Sequence, residues 1–408
     1  MTIDGRRQTF SFVNGLRGIA ASQVVVLHYG AAFLPVLVRA GDPAHFHWEQ
    51  AASHSPLFLL AQGYVAVYVF FVMSGFVLGA AFTRSQAPVP AEVAKRFVRL
   101  FLPVFAAVML GFVLLQFAPL ARSEAWTLSQ STWLAGIYQA PLNAHLLWSD
   151  ALLHSLLLGY GPNSLFEHSS ILKPVIPITQ AINPPLWTVH YEFWGSMVLI
   201  LLSAVYKRFA RWAAAAAVLT TLAIAGTSFL SLFVIGFVLY LIRDSLFSAP
   251  RHLAETIGIG LLGGGLWLGA SSNQRFIADT FELSRNLPVM HAFDAFQFQW
   301  QISAICLFAG FLLSARLRGL VSGRAVQWLG KISFSLYLIH FPVLMTLGCW
   351  LFVKLQSEGY LFACGVSLAV GFAVSLLLAA LVEKLVDRPS VALSRMCTVR
   401  DWRPATSR

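Results

Sequence analysis

The chain has 408 residues, of which 58% are hydrophobic and only 11% are charged. Soluble domains carry about 25% charged residues, so this composition excludes a soluble globular protein. The formal net charge is +11. In a soluble chain that charge would suggest a nucleic-acid partner, but in so apolar a sequence it indicates loops rich in Lys and Arg on one side of a membrane. We therefore expect no binding to nucleic acid.

Apolar runs of roughly 20 residues recur along the chain, which is the length that a helix needs to cross a hydrocarbon core of about 30 Å. They predict an all-α polytopic membrane protein in which a single domain, 1–408, has about ten transmembrane helices. The approximate spans are 18–38, 57–83, 100–120, 186–206, 212–228, 229–242, 253–271, 298–315, 333–353 and 360–382.

The distribution of charge predicts the orientation. With the N-terminus in the cytoplasm and alternating spans, 22 of the 28 Lys and Arg residues fall on the cytoplasmic side. This bias predicts that both termini are cytoplasmic and that 385–408 is a basic tail. The longest stretch on the other side is 121–185. Its weakly apolar piece at 151–160 is too short to span and fits a re-entrant or interfacial helix.

Titratable side chains within spans are costly and mark functional candidates. In LRGIAASQVVVLH, Arg17 and His28 are 11 residues apart, about 20° from three full helical turns and about 16 Å along the axis. They therefore share one helix face. A neutral imidazole at mid-membrane can act as a base. The alternative is a core histidine bonded to a neighbouring helix, with Arg17 reaching the headgroups.

A basic cluster stands at the start of the third span, in KRFVRLFLP. Lys95, Arg96 and Arg99 fall within about one turn, and guanidinium groups match phosphate oxygens. The cluster predicts a site for the phosphates of a ligand, although an ordinary positive-inside anchor has the same pattern.

Two further spans carry buried polar residues. Glu192, in PPLWTVHYEFW, must pair, face water or stay protonated. It could orient His28, hold an acceptor hydroxyl or form a structural ion pair. In SFSLYLIHFPV, Ser333, Tyr337 and His340 form a polar stripe. That stripe fits a pore lining and, equally, a hydrogen-bonded helix contact.

Cysteine spacing predicts neither a disulfide framework nor a metal site. There are four cysteines, none of them in a CxxC arrangement. The histidines of the first external loop have no acidic or thiol neighbours suited to a metal. We expect no metal and no permanently bound cofactor.

Taken together and in order, these segments resemble the bacterial membrane acyltransferase-3 family, which includes O-antigen and exopolysaccharide acetylases. The resemblance begins with the Arg–ten residues–His spacing and continues through FFVMSGF, KRFVRLFLP, PPLWTVHYEFW, SFSLYLIHFPV and the terminal VEKLVDRPS. Many members carry two adjacent carboxylates in the fourth-span motif, whereas here Phe193 follows Glu192. No role is therefore assigned to a second acid.

The resemblance implies a multi-pass protein of the bacterial inner membrane. The expected reaction moves an acyl group, acetyl first of all, from acyl-CoA to a carbohydrate or lipid-linked sugar. It implies that His28 is catalytic with Arg17 as its companion, and that Arg96 and Arg99, beside Lys95, serve the acyl-CoA. Glu192 and His340 fall on polar positions of the family pattern.

Two other classes of function remain open from the residues. A sugar or metabolite transporter also has many spans and buried titratable groups, but we find no internal repeat or broken helix pair. A scaffold with a decayed site is disfavoured by the intact Arg17 and His28. The sequence predicts no oligomeric state.

Overall fold

The computed structural model describes residues 11–39, 41–53, 55–226, 228–270 and 295–399. These segments are predominantly helical, as predicted, and contain no β-strand beyond isolated bridges in the stretch 160–177. The longer helices, labelled α1 to α11 in chain order, are Ser11–Phe33, Gly63–Arg84, Val89–Phe117, Trp187–Arg208, Arg211–Ala225, Leu230–Leu241, Arg251–Ala270, Ala295–Leu313, Arg324–Val343, Tyr360–Val382 and Arg388–Val399.

Six helical stretches in the described segments are long and apolar enough to cross a membrane. They are Gly63–Arg84, Val89–Phe117, Pro184–Arg208, Arg251–Ala270, Arg324–Glu358 and Tyr360–Cys397. Helix α1 has 23 residues and carries Asn14, Arg17, Gln23 and His28, and it is not among these six. The chain is therefore a multi-pass membrane protein. The total of ten spans and the cytoplasmic termini stay predictions.

The helices begin earlier than the predicted spans where polar residues lead into an apolar run. Helix α3 begins at Val89, so the basic cluster predicted to precede a span from residue 100 lies inside the helix. Helix α9 begins at Arg324, nine residues before the predicted start. Hydropathy registers only the hydrocarbon core, whereas backbone hydrogen bonding continues into the polar interface.

Helices α1 and α9 meet at a pair of glycines. A Cβ on Gly330 would lie 1.9 Å from the carbonyl oxygen of Asn14, and one on Gly18 would lie 2.6 Å from the backbone nitrogen of Gly330. Only glycine permits so close an approach. Ten residues further along each helix, His28 meets His340. Equal offsets in the same direction mean that the two helices run parallel, as expected for a first and a ninth alternating span.

The segment between α3 and α4 packs back against both of these helices. The predicted re-entrant piece is the π-helix Asp150–Leu158. The buried carboxylate of Asp150 accepts hydrogen bonds from the Tyr160 hydroxyl at 2.5 Å and from the Ile182 N–H at 2.8 Å. Burial raises the pKa of Asp150 to about 6. This carboxyl ties the segment to the residues that lead into α4.

The described part of the basic tail packs against the helices. A π-helical turn, Glu383–Asp387, leads from α10 into α11, which packs against α3. Residues 400–408 of the predicted tail lie outside the described part of the chain.

Candidate active site

The two side chains that share a face of α1 lead to different surroundings. Arg17 lines a cavity. His28, three turns further along, is partly buried among aromatic rings instead. One face of α1 therefore carries two polar side chains with different surroundings, about 16 Å apart along the helix axis.

His28 and His340 form a hydrogen-bonded pair. Nδ1 of His28 lies 2.9 Å from Nε2 of His340, and the ring centroids are 5.0 Å apart. Nδ1 of the fully buried His340 lies 3.1 Å from the Leu336 carbonyl oxygen. A carbonyl oxygen only accepts, so Nδ1 of His340 donates in this bond. In a neutral pair, Nε2 of His340 then accepts from Nδ1 of His28, which leaves Nε2 of His28 as a free acceptor.

A cavity of about 190 Å³ receives three guanidinium groups. We call it the arginine pocket, after Arg17 of α1 and Arg96 and Arg99 of α3. Its remaining walls are Val13, Val67, Phe70, Phe71, Met73, Ser74, Val77, Leu78, Leu100, Thr188, Val189, Glu192, Ser333, Phe334 and Tyr337. Guanidinium groups among largely apolar walls suit an anionic ligand that also carries an apolar portion.

Two of the three guanidinium groups are neutralised by carboxylates. Arg96 is bonded to Glu192. Arg99 is bonded to Asp387 and lies 3.4 Å from the Ser390 hydroxyl. Glu192 and Arg96 form an ion pair. Glu192 therefore does not orient His28, which was one of the roles that the sequence left open for it.

Arg17 has no hydrogen bond or ion pair to any described residue. Its guanidinium lies within electrostatic reach of both Glu192 and Asp387 and of the other two arginines. Three cations against two anions leave the pocket with one positive charge. An unpaired guanidinium facing a cavity is an anion-binding group.

Lys95 does not join the arginine pocket. Its ammonium group lies 3.4 Å from the Glu92 carboxylate, one turn earlier on α3, and 36% of its side chain is exposed. Around the axis of α3, Lys95 lies about 100° from Arg96 and about 40° from Arg99, so it stands at the edge of the arginine face, where it pairs with Glu92.

Tyr337 stands between the arginine pocket and the histidine pair. It lines the pocket, and its ring centroid is 5.8 Å from that of His340. Its hydroxyl donates to the Pro185 carbonyl at 2.9 Å and accepts from Thr188 at 2.9 Å. Ser333 also lines the pocket. The predicted polar stripe of α9 therefore faces the pocket at one end and His28 at the other.

Two residues at the site were missed by the reading of the sequence. Asp387 lies within the VEKLVDRPS segment, but only the fold shows that it binds Arg99. Trp133 belongs to no motif, and its ring lies on His28 with centroids 5.7 Å apart and planes at 18°. No periodicity within 121–185 could have indicated that contact.

Comparison with known proteins gives the class. Residues 10–380 match the acyltransferase domain model Acyl_transf_3. The chain therefore belongs to the acyltransferase-3 family, as the ordered motifs predicted, and it is a membrane protein of the acyltransferase class.

A relative supports the same class. The chain is 27% identical over 442 aligned residues to the O-acetyltransferase PaAT-1 of Phomopsis amygdali, and the match covers 94% of this chain and 84% of the relative. No solved structure matches the chain.

Proposed function

We propose that the protein is an integral membrane O-acyltransferase that moves an acyl group, acetyl in the first instance, from acyl-CoA to a hydroxyl of a carbohydrate. One observation carries the proposal: His28, whose Nε2 has no partner among the described residues, lies one side chain, Tyr337, beyond a pocket lined by Arg17, which no described residue pairs. The family match favours this enzyme over the transporter alternative.

The donor end of the site is the arginine pocket. Coenzyme A carries a pyrophosphate and a 3′-phosphate, and Arg17 presents donors that no described residue uses. Charge-assisted bonds from guanidinium to phosphate are among the strongest hydrogen bonds in proteins. Arg96 and Arg99 are held in place by Glu192 and Asp387. They add positive potential and shape the pocket.

The distance between Arg17 and His28 along α1 gives the two residues different roles. Arg17 lies about 16 Å from His28 along the helix axis, too far to touch the carbonyl that His28 serves. Arg17 therefore binds the phosphate end of the donor, and the pantetheine arm covers the distance past Tyr337. Arg17 therefore does not stabilise the negative charge that develops on the carbonyl oxygen.

His28 acts as the general base. Its Nε2 takes the proton of the acceptor hydroxyl while the oxygen attacks the thioester carbonyl, which forms the C–O bond of a tetrahedral intermediate. Collapse of the intermediate breaks the C–S bond, and the proton passes from His28 to the thiolate of CoA. The products are an ester and CoA with a free thiol. His340 does not touch the acceptor and acts through His28.

Carbohydrate as the acceptor class rests on the resemblance to polysaccharide acetylases, and the relative's name, an O-acetyltransferase, supports an oxygen acceptor. The excess of Lys and Arg in one set of loops supports an inner bacterial membrane protein with cytoplasmic termini. The arginine pocket then faces the cytoplasm, where acyl-CoA is found, and the segment 121–185 faces the acceptor.

The test compares O-acyl content of the host's surface glycan by proton NMR. A deletion strain is complemented with wild type, His28→Ala or His252→Ala. His252 is an exposed histidine on α7 and serves as the matched control. Acyl signals that return with wild type and His252→Ala, but not with His28→Ala, support the proposal. General-base catalysis contributes about 10²–10⁴-fold, which is enough to remove the signal.

Restoration of the signal by His28→Ala would show that His28 is not the base. Identical glycans in all strains, together with no binding of labelled acetyl-CoA to membranes that contain the protein, would contradict the acyltransferase proposal itself.

A further inference from the structure

Trp133 contacts the ring of His28 and does not line the arginine pocket. Its indole lies on the imidazole of His28, with centroids 5.7 Å apart. Phe341 meets both rings edge-on, 5.4 Å from His28 and 5.9 Å from Trp133. With His340 stacked 5.0 Å from His28, the base is enclosed by three rings.

The polypeptide holds Trp133 firmly in this position. It sits on the short helix Thr132–Gly136, whose N-cap Ser131 accepts from the Leu134 N–H at 3.1 Å. The Ser131 hydroxyl donates to the Ala31 carbonyl of α1 at 2.6 Å. Thr132 bonds to Asp42 at 2.5 Å. The helix that carries Trp133 is therefore fastened to α1 just beyond His28.

The side chain of Trp133 is partly buried, and its indole N–H makes no hydrogen bond within the described segments. Here an aromatic face and one free donor lie beside the base. Such a surface suits a ring that carries hydroxyl groups above an apolar face, as sugars do.

Water is the competitor that an acyltransferase must exclude. A water at Nε2 of His28 would lose its proton to the base and attack the thioester carbonyl. The C–O bond would form, the C–S bond would break, and the proton would pass to the CoA thiolate. The products would be acetic acid and CoA, with no acceptor modified. Closure of a site against water is a known means of preventing this side reaction.

We propose that Trp133 is a specificity-determining residue that covers His28 against water and admits a carbohydrate acceptor on its indole. This inference rests on the acyltransferase function proposed above and adds the residue that distinguishes acceptor from water. It gives the segment 121–185 a role in the reaction that no catalytic motif of the sequence indicated.

The experiment measures release of CoA thiol from acetyl-CoA with no acceptor present, using the full chain in nanodiscs. We expect Trp133→Ala to raise this hydrolysis by about tenfold over wild type, because water then reaches the base. Trp133→Phe keeps a ring over His28 and should stay near the wild-type rate. Trp148→Ala is the matched control, since Trp148 is 51% exposed in the same segment.

The double variant His28→Ala/Trp133→Ala decides whether the released thiol comes from the proposed site. Loss of the extra hydrolysis in the double variant supports the proposal. Persistence of the extra hydrolysis would overturn it, because the reaction would not pass through His28. If Trp133→Ala does not reach the membrane, Trp133→Leu gives the same comparison with a larger apolar side chain.

Failure of this inference is distinguishable from failure of the proposed function. Wild type that acetylates glycan in cells, together with Trp133 variants whose hydrolysis equals that of Trp148→Ala, would overturn the role of Trp133 alone. Wild type that neither acetylates glycan nor binds labelled acetyl-CoA would overturn both.

Discussion

Nδ1 of His28 lies 2.9 Å from Nε2 of His340, although the two residues are 312 positions apart in the chain. The Leu336 carbonyl fixes the proton on the far nitrogen of His340. Two hydrogen bonds in series therefore choose the tautomer of His28 and direct its unprotonated nitrogen away from His340.

We predict that His340→Leu lowers kcat about tenfold to a hundredfold and leaves the KM for acetyl-CoA constant. This decrease is smaller than the one expected when the base His28 is removed. His340→Gln should recover much of the rate, since its amide oxygen can accept from Nδ1 of His28. Steady-state kinetics on purified protein checks this. Equal rates for the Leu and Gln variants would argue for a packing role and against control of the tautomer.

A second prediction concerns the unpaired guanidinium. Arg17→Ala should raise the KM for acetyl-CoA about tenfold or more, and Arg17→Lys should recover only part of the loss, because an ammonium group lacks the two-pronged geometry. Arg211→Ala, at an exposed arginine outside the pocket, should leave the KM unchanged. A loss of kcat with no change in the KM would place Arg17 outside donor binding.

The bond between Arg99 and Asp387 predicts coupled effects on donor binding. Arg99→Ala and Asp387→Ala should each weaken binding of acetyl-CoA, and the double variant should be less affected than the sum of the two. Residues in one ion pair show coupling of about 0.5–3 kcal/mol. A double-mutant cycle on the dissociation constant measures it. Additive effects would show that the turn Glu383–Asp387 does not support the pocket.

The glycine contact between α1 and α9 predicts an effect on both stability and activity. Gly330→Ala places a Cβ 1.9 Å from the Asn14 carbonyl oxygen, so the helices must separate. Overpacking of this kind costs about 1–3 kcal/mol. The variant should unfold at lower temperature in detergent and transfer acyl groups more slowly, since the histidine pair is pulled apart.

Gly264→Ala is the control for that substitution. Apart from the backbone of α7 itself, no atom of the described residues lies within 4 Å of a Cβ at Gly264. Replacing this helical glycine with alanine should stabilise the protein by about 0.4–1 kcal/mol. Equal thermal stability of the two variants would contradict the close contact between α1 and α9.

Some features of the site follow from the sequence because they depend only on the local geometry of one helix. The shared face of Arg17 and His28, the neighbouring Arg96 and Arg99, and the stripe that ends at His340 each lie within a single helix. A period of 3.6 residues fixes their relative directions. The apolar runs likewise indicate a membrane protein, since nothing else accommodates them.

Only the tertiary structure decided which of these groups meet. Glu192 binds Arg96 and not His28, because α4 packs against α3 at that height. Trp133 reaches His28 through a segment without periodicity. The pairing of His28 with His340 requires a glycine contact ten residues away on each helix. The sequence alone identifies His28 as the candidate base. Its pairing with His340, its tautomer and its contact with Trp133 depend on packing between distant parts of the chain.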